Sequence, residues 1–318
     1  MTHPRSHNQL RHRPRRWSVA ANRWRIGTLT IGGAGLVVGC AAPQRTAVTP
    51  TSGPAVWVTT PDRGQLVSRI TGPSFTPADS ADAIEIDAST RFQEIVGFGA
   101  ALTDASAALI HGLTPAALES VLRMLFDPAR GAGLRIVRLT IGASDFSQSH
   151  YTYDDVDGGR VDPGLARFSI APARVDVIPT VRAIQALVPR LAIMATPWSP
   201  PAWMKSSGSL YGGTLRRDAY EPFAEYLVRT VEAFGSEGVP IDYLSIQNEP
   251  HHEPKDYPGM RLSPAQRAEL IAKHIGPRLA RIPSTRLLEW DHNWDEPDAP
   301  LAVLADTNAA RFVSGVAW

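Results

Sequence analysis

The strongest constraint on this chain is a repeated alternation of short apolar runs with amphipathic helical stretches. Residues 134–141, 191–196, 241–246, 287–290 and 312–318 are runs of four to eight residues. They are short enough to be strands and apolar enough to be buried on both faces. Between them lie helical patterns, of which residues 218–234 are the clearest. There Phe223, Leu227, Val231 and Phe234 share one face, while Glu221, Glu225, Arg229 and Glu232 fall outside it, a period of 3.6. Residues 114–126, 172–187 and 263–279 repeat the pattern, with Pro115 and Pro264 in their first turns. Such alternation predicts a parallel sheet, either open and doubly wound or closed into a barrel.

The polar residues choose between the two. Asp145, Trp198, the Asn248-Glu249 pair and Asp291 each follow a different predicted strand. A barrel keeps its chemistry at the C-terminal ends of several strands in this way. An open dinucleotide-binding sheet needs a longer glycine-rich first turn than Gly97-Phe98-Gly99, which reads instead as tight backbone packing at the barrel mouth. The predicted class is therefore α/β, a (β/α)8 TIM barrel with about six of its eight strands in residues 97–318. A short N-terminal β-segment over residues 55–96 precedes it, with strands read at 55–60 and 84–87.

The beginning of the chain is different in kind. Residues 1–61 hold eight arginines and no acid, and seven of those arginines precede an uncharged stretch at 26–39 that ends before Cys40, the single cysteine. Fourteen such residues are too few to span a bilayer, which takes ~20, so residues 1–39 read as a secretory signal. Val37-Val38-Gly39-Cys40 resembles the bacterial lipobox, which implies lipidation of Cys40, a membrane anchor on the outer face of a bacterial cell, and a flexible tether over residues 40–54. The Arg15-Arg16 pair leaves the export route open. Removing residues 1–39 leaves 25 basic against 31 acidic residues, a net charge of −6, which is not a nucleic-acid surface. With one cysteine there is no intramolecular disulfide and no thiolate zinc site.

The strongest chemical motif is residues 241–250, an apolar strand that delivers Asn248-Glu249-Pro250 at its carboxyl end. A partly desolvated Glu249 there suits proton donation to a leaving oxygen, and Asn248 can bond a sugar hydroxyl. Trp198 supplies a planar apolar face and Asp145 a carboxylate for hydroxyl groups. Arg138, on an interior strand, is expected either to hold a neighbouring carboxylate ionised or to form a structural ion pair, and Trp203 is read as support. His251-His252-Glu253 lacks the i, i+4 spacing of a zinc helix. The acid-rich stretch from Asp291 lacks the glycine of a calcium loop and reads as cleft lining, and Asp104 reads as a helix cap. No metal or cofactor is called for.

Several stretches in order carry a specific resemblance: residues 97–105, 138–147, 151–154, Thr196-Pro197-Trp198-Ser199-Pro200-Pro201 through Lys205, Gln247-Asn248-Glu249-Pro250, and 312 onward. Together they resemble glycoside hydrolase family 30, the family of lysosomal-type glucosylceramidases and microbial β-1,6-glucanases. The resemblance implies a retaining glycosidase on a barrel, acting on a β-glucoside glycolipid or a glucan. It gives Glu249 the acid/base role, Asn248 a hydroxyl contact beside the cleaved bond, and Asp145 and Trp198 the glycone subsite. Arg138 would support the nucleophile, with Trp203 and Asp291 lining or supporting the site. A third class of barrel glycosidase sharing Asn-Glu-Pro is disfavoured by the Thr196–Pro201 stretch.

The family places its nucleophile after the seventh strand, beyond Trp318, so the expectation is a chain carrying only the acid/base half and inactive by itself. A two-carboxylate inverting mechanism through Asp291 is the weaker option. The alternative from another class is a non-catalytic sugar-binding lipoprotein that keeps Trp198, Asp145 and Asn248.

Overall fold

The structure, a computed structural model, describes residues 55–71, 87 and 89–318. The expected signal peptide, Cys40, the tether and residues 84–86 of the strand read at 84–87 lie outside the described residues. The chain divides into two units, residues 1–90 and 91–318. In the first, β1 (Val56–Val58) pairs antiparallel with β2 (Ser68–Ile70), so the partner of the 55–60 strand is a segment that carries no sequence signal.

The second unit holds six parallel strands: β3 (Gly99–Leu102), β4 (Ile136–Ile141), β5 (Ala192–Pro197), β6 (Tyr243–Ser245), β7 (Arg286–Trp290) and β8 (Val313–Ala317). Their order across the sheet is the order along the chain. A doubly wound sheet reverses direction at a switch point and this one does not, so the winding is that of a barrel. β3 and β8 are the edges of the described sheet.

Helices α1 (Asp104–His111), α2 (Pro115–Phe126), α3 (Ala171–Val175), α4 (Val177–Leu187), α5 (Tyr220–Ser236), α6 (Pro264–Glu269), α7 (Gly276–Leu279), α8 (Asp298–Leu304) and α9 (Thr307–Ala310) connect the strands. Thr114 caps α2 by accepting from Ala117 N, and Ser263 and Gln266 form a reciprocal capping box on α6. On α5, Phe223, Leu227, Val231 and Phe234 are all buried, as their spacing requires. Each such side chain contributes about 1.5–3 kcal/mol on leaving water. Tyr226 of the same helix extends that core to Tyr153 and Phe168, edge to face with the latter at 5.8 Å.

Two predicted helices are interrupted. The 172–187 stretch breaks at Asp176, whose φ of −128° leaves the helical region and separates α3 from α4. The 263–279 stretch widens into a π turn at Leu270–Ile275 before α7. Pro277 supplies no N–H to the preceding turn, which displaces the bonding pattern without changing the buried face. The helical interval expected between the runs at 287–290 and 312–318 is filled by two short helices, α8 and α9.

Gly99 stands at the start of β3, so the tight packing expected of Gly97-Phe98-Gly99 falls at the N-terminal end of the sheet and not at the mouth. A Cβ on Gly99 would lie 2.1 Å from Ile136 O of β4. Gly235, near the end of α5, has open space instead. Gly99→Ala is therefore expected to cost about 1–3 kcal/mol as an overpacking change. Gly235→Ala, by contrast, should gain up to about 1 kcal/mol by removing helix-interior backbone freedom. Urea midpoints of the two variants check this, and equal shifts would refute the close approach.

Candidate active site

The carboxyl ends of β4, β5, β6 and β7 converge on one cluster, and backbone bonds set its frame. The chain leaving β6 is held on both sides: Asn248 N donates to Pro197 O of β5 at 2.8 Å, and Glu249 N donates to Asp291 O beyond β7 at 3.0 Å. Turning from one neighbour to the other puts Glu249 in the left-handed region at φ +46°, and Trp290 and Asp291 follow at +79° and +64°. Three non-glycine residues in that region within one cluster mark stored backbone strain. Gln247, fully buried, locks the crossing by donating from Nε2 to Trp198 O at 2.7 Å and Asn248 O at 2.8 Å.

Arg138 projects from β4 into this cluster. Its Nη2 donates to Asn248 Oδ1 at 2.7 Å and to Asp291 Oδ2 at 2.9 Å, and its guanidinium carbon lies 4.8 Å from the centre of the Trp198 ring. The carboxylate that Arg138 meets is Asp291, a pairing that both expectations for Arg138 allow. That pairing commits Asp291 to Arg138, which argues against Asp291 as a base for water. Trp198 retains only 7% of its surface, with one face under Arg138. One face of Trp198 thus serves as a platform for the guanidinium. Trp203, expected to support the site, donates from Nε1 to Asp154 Oδ2 at 3.0 Å. Burial pushes the Asp154 carboxyl up to about 6.

Asp145 is exposed in the turn after β4. Its charge and that of Glu249 both bear on Tyr257, whose hydroxyl is raised first by burial and then by these two carboxylates. Both carboxylates thus lie within electrostatic reach of Tyr257, and His252 Nε2 meets its hydroxyl at 2.9 Å. His292, stacked on Trp290 at 5.1 Å, is lowered by burial while the Glu249 charge works the other way. Neither Tyr257 nor His292 was singled out from sequence. Both sit in loops with no period, where only their distance from Glu249 in space identifies them.

His251 lacks a free nitrogen for a metal: Nδ1 pairs with Glu296 at 2.7 Å and Nε2 faces Arg267 Nη1 at 3.2 Å. Arg267 and Glu289 form an ion pair at 2.5 Å with neither side chain exposed. The guanidinium also lies 5.1 Å from the Trp290 ring centre, so this pair buttresses the strained turn from beneath. Asp104 is not the cap of α1. Thr103 caps it, and Asp104 accepts from Ser147 Oγ at 2.7 Å and Tyr151 OH at 3.3 Å.

A singly wound barrel with an Asn-Glu pair, aspartates, an arginine and indoles gathered at its strand ends defines the class of barrel glycoside hydrolases. Residues 95–318 match the Glycosyl hydrolase family 30 TIM-barrel domain, and the chain belongs to glycosyl hydrolase family 30. It is 38% identical over 243 residues to the endo-1,6-beta-D-glucanase neg1 of Aspergillus fumigatus, covering 71% of this chain and 49% of that protein. It is 31% identical over 301 residues to "Putative glucosylceramidase 4" of Caenorhabditis elegans, covering 89% of this chain and 57% of that one. Among solved structures it is similar to the endo-beta1,6-glucanase BT3312, with a TM-score of 0.72 and 26% identity over 82% of this chain and 59% of the other. The chain spans about half the length of the curated relatives it matches.

The Glu289 carboxyl is raised because burial outweighs the attraction of Arg267. Its folded value exceeds the unperturbed 4.5, so the native state binds more protons between the two and gains stability as pH falls through that window. Arg267→Met would leave Glu289 buried and unpaired, at a cost of about 3–5 kcal/mol near neutral pH. Part of that loss should be recovered as the solution is acidified toward Glu289's unperturbed value. Urea unfolding of the variant at two pH values measures this, and a pH-independent loss would exclude Glu289 as the cause.

Proposed function

We propose that this protein is a β-glucoside hydrolase of the retaining type, with Glu249 as its acid/base and a β-1,6-linked glucan as its substrate. The observation that carries this reading is the free carboxyl of Glu249. Among the described residues no hydrogen bond or ion pair engages it, whereas Asp291, Glu289 and Glu296 beside it are paired with Arg138, Arg267 and His251. An unengaged carboxyl in a frame of engaged ones is what proton donation to a leaving oxygen requires. Asn248, oriented by Arg138, contacts a sugar hydroxyl next to the cleaved bond. Asp145 takes the outer hydroxyls, and Trp198, stiffened by Arg138, backs the glycone.

The substrate rests on the relatives. The three named as endo-1,6-beta-D-glucanases share 35–38% identity with the chain, against 30–31% for those named as glucosylceramidases. A glucosylceramide-like glycolipid is the next substrate to try. The Val37-Val38-Gly39-Cys40 sequence supports secretion with a lipid anchor on Cys40, which would hold the site at the outer face of a bacterial membrane.

Double displacement needs a second carboxyl roughly 5–5.5 Å from the first. With Asp291 tied to Arg138 and Asp145 given to substrate, the described residues gathered at these strand ends leave no second free carboxyl for that role. Azide can then take the nucleophile's place with an aryl β-glucoside. Its nitrogen bonds to the anomeric carbon from the α face, the aryl C–O bond breaks, and Glu249 gives its proton to the departing oxygen. The expected product is α-glucosyl azide, formed by folded chain only when azide is present. Glu249→Gln should slow it by about 10²–10⁴ for leaving groups that need protonation. Sugar binding with no azide product, and an affinity indifferent to Glu249→Gln, would identify a non-catalytic sugar-binding protein instead.

A further inference from the structure

Lys205 closes the Thr196–Lys205 motif, and its side chain is 2% exposed. Among the described residues no carboxylate pairs with it. Its Nζ donates to Ser199 Oγ at 3.0 Å, Leu210 O at 2.7 Å and Gly259 O at 2.6 Å. An ammonium has three N–H bonds, and all three are engaged. Withdrawing a cation from water without a counter-charge is costly, so its retention calls for a role.

The three acceptors belong to three separate pieces of the mouth. Ser199 follows Trp198, the platform under Arg138. Leu210 precedes Tyr211, whose hydroxyl meets His150 Nδ1 at 2.8 Å. Gly259 lies two residues past Tyr257, whose hydroxyl feels the charges of Glu249 and Asp145. The backbone joins the same pieces: Gly259 N donates to Leu210 O at 3.0 Å and Arg261 N to Gly213 O at 2.8 Å. Gly259 has to be glycine for its loop to close, since a Cβ there would stand 2.4 Å from Pro254.

We propose that Lys205 is a positioning residue of the sugar cleft, fastening the Trp198, Tyr211 and Tyr257 segments into one surface that binds the β-glucoside. The inference rests on the glycosidase reading above and extends it to residues that do not touch substrate. Burial lowers the Lys205 amine to about 7, with the Glu253 charge acting in the opposite sense. A neutral amine offers two donors to three oxygens, so one tie is lost as pH rises through that value. His150 at Tyr211, His252 and Asp256 at Tyr257, Lys255 and Arg261 on the Tyr257 segment, and Glu253, whose Oε1 accepts from Gly213 N at 2.8 Å, are the other titratable or charged groups at these segments.

The test compares wild type with Lys205→Met, reading hydrogen exchange by peptide and the affinity for a β-1,6-linked glucose disaccharide between about pH 6 and pH 9. In the variant, residues 206–215 and 254–262 should lose protection while β4 and β5 keep theirs. Its affinity should be about tenfold weaker than wild type at the low end of the range and flat across it, where wild type weakens as pH rises. A variant that is less stable overall yet binds the disaccharide as wild type does, or keeps those segments protected, overturns the proposal. A wild-type chain that binds no β-glucoside at any pH overturns the sugar reading itself, and the exchange data then report separately whether the tie exists.

Discussion

One guanidinium holds the ends of three strands together. Arg138 reaches from β4 to Asn248 after β6 and to Asp291 after β7, bonding both from the same nitrogen and covering the Trp198 ring after β5 with its flat face. Arginine suits this place because its charge is permanent and its planar fork can bond at its edge while stacking on its face. Lysine would supply a point charge without the stack. Everything that distinguishes Glu249 follows from that arrangement. Asp291 is neutralised, Asn248 is aimed, and the backbone of Glu249 hangs from Asp291 O.

The site is also set by contrast between engaged and free charges. Arg267 and Glu289 are sealed together beneath Trp290, and Lys205 is sealed with oxygen acceptors alone. Each is an expensive burial, and each sits directly under a segment that carries a cleft residue. The interior charges brace, while the exposed Asp145 and the half-buried Glu249 remain available. Such division lets one barrel end hold several carboxylates without their repelling one another from the sheet.

The fold was legible because the periods are long and regular. The apolar runs at 134–141, 191–196, 287–290 and 312–318 became β4, β5, β7 and β8 within one or two residues, and the α5 face was read residue by residue. The sequence reading failed where local signal is weak or tertiary. Asp176 breaks a helix that its neighbours favour, and β2 pairs without any β-rich pattern. In the site, Asn248 and Glu249 were visible because they end a strand. Tyr257, His292 and the three acceptors of Lys205 come from loops separated by tens of residues, and no spacing rule links them. Asp104 was read as a cap because it opens a helix, while its carboxylate has longer-range partners in Ser147 and Tyr151.

The left-handed conformations of Glu249, Trp290 and Asp291 carry a consequence for anyone redesigning this chain. Glycine is the residue that such backbone angles favour, but Trp290 is held by its burial and Asp291 by Arg138, so a procedure that optimises stability alone would be drawn to Glu249, whose side chain has no partner among the described residues. It would return a sturdier barrel with its free carboxyl removed. Thermostability screens run without an activity readout would enrich for that loss, which makes Glu249 the residue to hold fixed.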